Sequence, residues 1–123
     1  MANLINWVEI PVTNMDRAVK FYTDVIGGEF QHVEMYGIKM AFFPMEDPKE
    51  VSGSLCQGEG YKPTMDGPKL YLNGGEDLSV PLGKVEKAGG KITMPKTKIN
   101  DDIGYMAFFI DCEGNNMAFH SPK

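Results

Sequence analysis

The stretch NWVEIPVTNMDRAVKFYTDVIGGEF, residues 6–30, decides the fold, because it carries the signals of a strand, a helix and a helix end in that order. β-Branched and aromatic residues over 4–12 predict a strand. Thr13 followed by Asp16 is a weak capping box and predicts the start of a helix. The pair Gly27–Gly28 predicts its end, since glycine adopts the left-handed conformation without a Cβ penalty. Between these signals, apolar residues at helical spacing predict one buried face: Ala18, Val19, Tyr22, Val25 and Ile26.

The remainder of the chain repeats this order of elements. A second helix is predicted from Ser79 to Ala88, and it ends at Gly89–Gly90, which lies 62 residues after the first glycine pair in a chain of 123. Further strands are predicted near 29–36, 38–44, 52–57, 68–73, 91–97, 105–111 and 116–121, with Tyr36–Gly37 as a turn. We therefore predict an α+β fold of two tandem βαβββ modules, residues 1–57 and 68–123, joined by the turn-rich segment 58–67.

Composition and charge exclude several classes of protein. Hydrophobic residues make up 42% and charged residues 24% of the chain, as in a folded protein. The 12 basic and 17 acidic residues give a net charge of −5, which disfavours nucleic acid and anionic membranes as partners. The longest apolar run, Met106–Ile110, is too short to span a bilayer. The N-terminus has no secretion signal, and the two cysteines are expected to be reduced, so we expect a cytoplasmic protein.

Three segments resemble one known family in the same order along the chain. Residues 6–30 are similar to the opening of the vicinal oxygen chelate superfamily, which comprises glyoxalases, bleomycin-resistance proteins and extradiol dioxygenases. The segment YLNGGEDLSVPLGKVEKAGGKI (71–92) resembles its second strand and helix. The segment GYMAFFIDCEGNNMAFHSPK (104–123) resembles its closing strand pair, with a D-x-E-G-N turn. The resemblance implies a curved mixed sheet that forms a cleft.

The resemblance also implies four positions for metal ligands, one on the first and one on the last strand of each module. The first of these positions falls on Trp7 and the last on Ala118, and the internal offset of 62 adds Lys69 and Cys56. Trp and Ala offer no donor, and a lysine ammonium binds no metal while it is protonated. A single thiolate holds no metal ion. We therefore predict that the metal centre of the family is absent and that the protein needs no cofactor.

Two residues next to these positions keep other chemistry open. Because strand side chains alternate, Glu9 shares a face with Trp7, and His120 shares one with Ala118. A carboxylate and an imidazole can form an acid–base pair or part of a displaced divalent-metal site. Such residues more often form the polar lining of a ligand cleft or a hydrogen-bonded structural pair, and the sequence leaves these alternatives open.

The other reactive residues carry weaker signals. His32 lies in a strand with blurred alternation and is expected to be an ordinary surface or packing residue. Cys56 has neither a neighbouring base nor a helix N-terminus and is expected to be a buried thiol. The chain contains no dinucleotide-binding fingerprint, no phosphate-binding P-loop and no serine-hydrolase elbow.

The sequence thus supports two hypotheses about function. The first is a metal-free protein that binds a small organic molecule, with Trp7 as an aromatic platform in the cleft. The second is a glyoxalase-like lyase or isomerase that uses Glu9 and His120 as catalytic residues. A homodimer is expected, and its cleft lies either within one chain or across two chains that exchange modules. The residues predicted to line the cleft are Trp7, Glu9, Cys56, Lys69, Tyr71, Ala118 and His120.

Overall fold

The computed structural model describes residues 3–47 and 49–123 and confirms the predicted α+β fold of two βαβββ modules. In each module the first and last strands pair in parallel, and the other neighbouring strands are antiparallel. The first sheet has the order β1-β4-β3-β2 and the second the order β5-β8-β7-β6. The elements are β1 (Trp7–Pro11), α1 (Met15–Ile26), β2 (Gln31–Met35), β3 (Ile38–Phe42), β4 (Ser52–Gln57), β5 (Leu70–Asn73), α2 (Ser79–Leu82), α3 (Val85–Ala88), β6 (Lys91–Asn100), β7 (Gly104–Ile110) and β8 (Asn116–Ser121).

Helix α1 begins one residue later than its capping signal predicts. Asn14, not Thr13, is the N-cap, and its side-chain oxygen accepts a hydrogen bond of 3.1 Å from the amide of Arg17. The Asn14 amide oxygen thus satisfies one of the free N–H groups of the first turn. At the other end the helix stops at Gly27, whose φ of +79° lies in the region that glycine adopts without strain.

The second predicted helix is divided into two short helices, α2 and α3. The interruption lies at Gly83 and Lys84, where the Lys84 amide bonds to the carbonyl of Pro81, three residues back, instead of four. Glycine favours a helix interior least after proline, and this tighter bond ends α2 before α3 begins.

No helix among the described residues combines the length and apolarity needed to cross a membrane.

One hydrophobic core joins the two modules. Phe21 and Tyr22 of α1 pack with Phe109 and Phe119 of the second sheet, and all four side chains are buried. The Phe21 and Phe109 rings lie 6.4 Å apart, and those of Phe109 and Phe119 stack at 4.8 Å. Burying each ring contributes roughly 1.5–3 kcal/mol. The helices therefore cover one face of both sheets, and the modules share their core.

The D-x-E-G-N turn of the second module is bound to the first module. Asp111 accepts hydrogen bonds from the Tyr22 hydroxyl at 2.6 Å and from the amides of Glu113 and Asn115. The Asn115 side chain donates to the carbonyl of Pro11 in β1 at 2.8 Å. Burial, reinforced by Asp111, raises the pKa of Tyr22 well above its usual 10, so its hydroxyl remains a neutral donor.

Glu113 of the same turn binds the residues at the start of α1. The Glu113 carboxylate accepts hydrogen bonds from the amide and hydroxyl of Thr13 and forms an ion pair with Arg17. Its side chain is shielded from solvent, although that of Arg17 is 52% exposed. A carboxylate at a helix N-terminus also interacts favourably with the helix dipole. Glu113 therefore binds the second module to the start of α1.

Candidate functional site

The predicted cleft residues lie on the face of the two sheets that the helices leave uncovered, which we call the open face. In β1 the Ile10 side chain enters the core, so Trp7 and Glu9 point to the open face. In β8, Met117 and Phe119 enter the core, so Ala118 and His120 point to the open face. The same alternation puts Cys56, Lys69 and Tyr71 on the open face, opposite the core residues Leu55, Leu70 and Leu72.

The first module contributes an aromatic platform to the open face. Trp7 is 37% exposed, and its ring packs edge-on against Phe42 at a centroid distance of 5.4 Å. Its indole N–H donates a long hydrogen bond of 3.4 Å to the Ser54 hydroxyl, which in turn lies 3.3 Å from Cys56 Sγ. Cys56 is completely buried, and this burial raises the pKa of its thiol. The platform is therefore Trp7, and Cys56 lies beneath the surface.

The segment between the modules adds a residue that the sequence did not identify. The Tyr61 hydroxyl donates a hydrogen bond of 2.7 Å to Glu9 Oε1. This bond raises the pKa of Tyr61 to about 12, because the neutral hydroxyl is the form that donates to the carboxylate. Glu9 thus has a hydrogen-bond partner on the open face. Tyr61 was missed because it lies among turn-forming residues, where no periodicity indicates which way a side chain points.

Removing the charge of Glu9 is expected to move the Tyr61 titration towards its usual range. The difference in tyrosinate absorbance between wild type and Tyr61→Phe should titrate with a midpoint near pH 12. In a Glu9→Gln background the same difference should titrate nearer 10, since a neutral amide no longer stabilises the protonated hydroxyl. Identical midpoints in the two backgrounds would show that the Tyr61–Glu9 bond does not form in solution.

The second module contributes a cation and further aromatic rings. The Lys69 Nζ lies 3.3 Å from the centroid of the Phe108 ring, and Tyr71 packs edge-on against the same ring at 6.1 Å. Tyr71 is 48% exposed, whereas Ala118, paired with both Tyr71 and Phe108, is completely buried. Phe108 was not among the cleft residues predicted from the sequence. Its neighbours Ala107 and Phe109 do enter the core.

The histidine of the open face has a defined partner. His120 Nε2 lies 2.7 Å from the carbonyl oxygen of Ile103. Because a carbonyl oxygen only accepts hydrogen bonds, Nε2 carries the proton and donates it. His120 Nδ1 is then the nitrogen with a free lone pair. Glu9 and His120 therefore form hydrogen bonds to different residues, Tyr61 and Ile103.

Two hollows contain most of the predicted cleft residues. A cavity of about 240 Å³ lies between β1 and β5 and is lined by Glu9 and Lys69, among others. A wider hollow of about 880 Å³ is lined by Tyr71, Ile103, Met106 and His120, among others. The structure thus brings Glu9 together with Lys69, and Tyr71 together with His120, but it assigns Glu9 and His120 to different hollows.

A third hollow lies apart from the predicted cleft residues. It measures about 630 Å³ and is formed by the start of α1 with β2 and β3, where His32 and Lys39 line it. None of the seven predicted cleft residues contributes to its lining. His32 is exposed there, as expected for a surface residue.

The residues at the four ligand positions do not fit a divalent metal ion. The side chains of Trp7 and Ala118 have no lone pair to offer a metal ion, Cys56 is buried with a raised pKa, and the Lys69 ammonium repels a cation. Within residues 3–47 and 49–123, no group of three His, Cys, Asp or Glu side chains is arranged to hold a metal ion. These four side chains therefore do not supply the set of ligands that a chelated divalent ion requires.

Comparison with known proteins identifies a matching family model and a protein of related sequence. The family model described as Glyoxalase/Bleomycin resistance protein/Dioxygenase superfamily matches residues 4–119. A glyoxylase-like domain-containing protein from Didymella fabae is 31% identical over 122 residues, which cover 93% of this chain and 90% of that protein.

Solved structures share the fold at lower identity. A glyoxalase I mutant from Zea mays superimposes with a TM-score of 0.73 at 19% identity over 97% of this chain. This chain spans only 45% of the maize protein. TnmS3, an antibiotic binding protein from Streptomyces sp. CB03234, superimposes with a TM-score of 0.64 at 20% identity, covering 100% of this chain and 99% of that one.

Proposed function

The chain belongs to the Glyoxalase/Bleomycin resistance protein/Dioxygenase superfamily, and on this premise we propose that it binds a small planar organic molecule on its open face without a metal centre. The observation that carries the proposal is the aromatic ring of Trp7. It stands exposed at the position where the family resemblance implies the first metal ligand. An exposed indole at the floor of a binding face favours stacking with a flat ligand.

Two further features support a binding role. Tyr71 presents a second exposed ring on the open face, in the other module, and so adds to the aromatic surface of that face. The Streptomyces protein TnmS3, which shares this fold over nearly its whole length, is described as an antibiotic binding protein. The proposed ligand is accordingly a planar aromatic molecule.

The alternative activity, a glyoxalase-like lyase or isomerase, would use Glu9 and His120. A general acid and base must both reach one substrate, yet these two side chains line different hollows and hydrogen-bond to different residues. We therefore prefer the binding function.

The protein contains one tryptophan, which makes a direct test available. We expect 2-naphthamide, a neutral planar probe, to shift the single indole N–H resonance of Trp7 in a ¹⁵N-correlated NMR spectrum. We expect Trp7→Ala to weaken its binding in calorimetry by about 10-fold, since an aromatic contact contributes about 0.5–1.5 kcal/mol beyond the area that it buries. Tyr36→Ala is the matched control, because it removes an exposed ring in the β2–β3 turn.

The outcomes separate the two candidate functions. Unchanged binding in Trp7→Ala, or no shift of the indole resonance with saturating probe, would contradict the proposed site. Metal content, measured after purification without chelator or nickel resin, addresses the enzyme alternative. Near-stoichiometric metal that is lost in both Glu9→Ala and His120→Ala would overturn the metal-free proposal.

Assembly and location remain predictions from the sequence. We propose a homodimer, because β1, β2, β5 and β6 are each paired on one side only within the two sheets. Light scattering coupled to size-exclusion chromatography measures the mass of the assembly. The cytoplasmic location is likewise a proposal that rests on composition.

A further inference from the structure

We propose that the ammonium group of Lys69 binds an anionic oxygen, a carboxylate or phenolate, carried by the planar molecule on the open face. This inference rests on the proposed function, because it names a chemical group of the same ligand. It assigns Lys69 a specific role, to supply positive charge at a position where the family resemblance implies a metal ligand.

The position of the ammonium is defined by an aromatic ring. Lys69 Nζ lies 3.3 Å from the centroid of Phe108, within the range of a cation–π contact. Such a contact stabilises the charge but occupies only one side of the ammonium, which has three N–H donors. At least one donor therefore points away from the Phe108 ring and is available to an acceptor.

No acidic side chain among the described residues forms an ion pair with Lys69. The ion pairs in this part of the chain involve Arg17, Lys20, Lys96 and Lys98. Glu9 lines the same 240 Å³ cavity, but its Oε1 accepts the Tyr61 hydroxyl at 2.7 Å. Because Lys69 is half-buried and forms no ion pair, an anionic oxygen can accept a hydrogen bond from its ammonium, and charge-assisted hydrogen bonds of this kind are stronger than neutral ones.

The surrounding rings indicate what carries the anion. Tyr71 packs against the same Phe108 ring as Lys69, at a centroid distance of 6.1 Å, and it lies two residues after Lys69, so its exposed ring and the ammonium are neighbours. Lys69 and Tyr71 line different hollows, but both contact the Phe108 ring, so a flat molecule that stacks on Tyr71 and extends across Phe108 directs a substituent on its edge towards Lys69 Nζ. The combination of an exposed ring with an adjacent cation is complementary to an aromatic acid or an ionised phenol.

A pair of matched probes tests the charge separately from the ring. We expect calorimetry to show that 2-naphthoate binds the wild-type protein about 10-fold more tightly than the neutral 2-naphthamide. Lys69→Met keeps a side chain of similar length without the charge, and it should remove this preference while leaving 2-naphthamide binding unchanged. Lys69→Arg should keep most of the preference.

A control variant and two readouts distinguish failure of the Lys69 proposal from failure of the proposed binding function. Lys91→Met, an exposed lysine at the start of β6, changes the net charge equally and should leave both affinities unchanged. If both probes bind equally and shift the Trp7 resonance, the Lys69 proposal is wrong and the binding function stands. A Lys69→Met variant that weakens both probes alike would also overturn it. If neither probe binds, both proposals fail.

Discussion

Asp111→Ala is expected to lower the free energy of unfolding by about 3–5 kcal/mol, because it removes the acceptor from a buried hydrogen-bonded network. Asp111 is only 3% exposed and accepts hydrogen bonds from Tyr22, from the backbone of Glu113 and from Asn115. In the variant the Tyr22 hydroxyl, which is fully buried, would have no partner. Urea unfolding followed by circular dichroism measures the change.

Tyr22→Phe is the control that separates the network from the single bond. It removes the hydroxyl and leaves the ring in the core, so it should cost about 1–2 kcal/mol, less than Asp111→Ala. The remaining bonds from Asp111 to its own turn are unaffected. Equal losses in the two variants would mean that the Tyr22 contact accounts for the whole effect and that the turn adds nothing.

Glu113→Ala is expected to destabilise the protein by about 2–3 kcal/mol at pH 7, since hydrogen bonds to a charged group contribute about 1.5–3 kcal/mol. The variant loses the acceptor for Thr13 at the start of α1 and the ion pair with Arg17. Because Arg17 is half exposed, solvent screens the ion pair, and most of the loss is attributed to the hydrogen bonds at the helix start.

The Glu113 contribution should also depend on pH. Burial acts to raise the pKa of Glu113, but the hydrogen bonds from Thr13 and Arg17 together outweigh it and hold the pKa below 4.5. A carboxyl with a lowered pKa in the folded state stabilises the protein above its unfolded-state pKa. That contribution is lost as the pH falls through the folded-state pKa.

The stability difference between wild type and Glu113→Ala should therefore shrink as the pH falls below about 4.5. Asp24→Asn provides the comparison, because it removes one member of the exposed Lys20–Asp24 pair in α1. An exposed pair of this spacing contributes about 0.3–0.5 kcal/mol, so that variant should behave almost as wild type. A Glu113→Ala difference that stays constant down to pH 3 would contradict the assigned role.

The module architecture could be predicted from local signals. The two glycine pairs and the apolar face of α1 depend only on neighbouring residues, and the structure confirms the element order that they predict. The N-cap of α1 was displaced by one residue because Thr13 bonds to Glu113, 100 residues away in the chain. The interruption of the second predicted helix at Gly83 depends on a backbone hydrogen bond that spans three residues instead of four. The spacing of apolar residues carries no information about that change.

The candidate site was predicted only in part. Strand alternation placed Trp7 and Glu9 on one face, and the same face is seen in the structure. The partners of these residues were not predictable, since Tyr61 reaches Glu9 from a segment without periodicity. Phe108 was not predicted for another reason. An aromatic residue in an apolar strand is expected in the core, because the sequence pattern does not show which face it occupies.

The division of each strand between a core face and an open face has a consequence for how such a protein acquires new specificities. Residues that contact the proposed ligand alternate with those that hold the two halves together, so replacing Tyr71 leaves its neighbours Leu70 and Leu72 in place. Residues of the open face can thus be substituted, and ligand specificity changed, while the core residues stay the same. Proteins of one fold can then bind different ligands without repacking of the core, and each change in binding residues lowers stability only slightly.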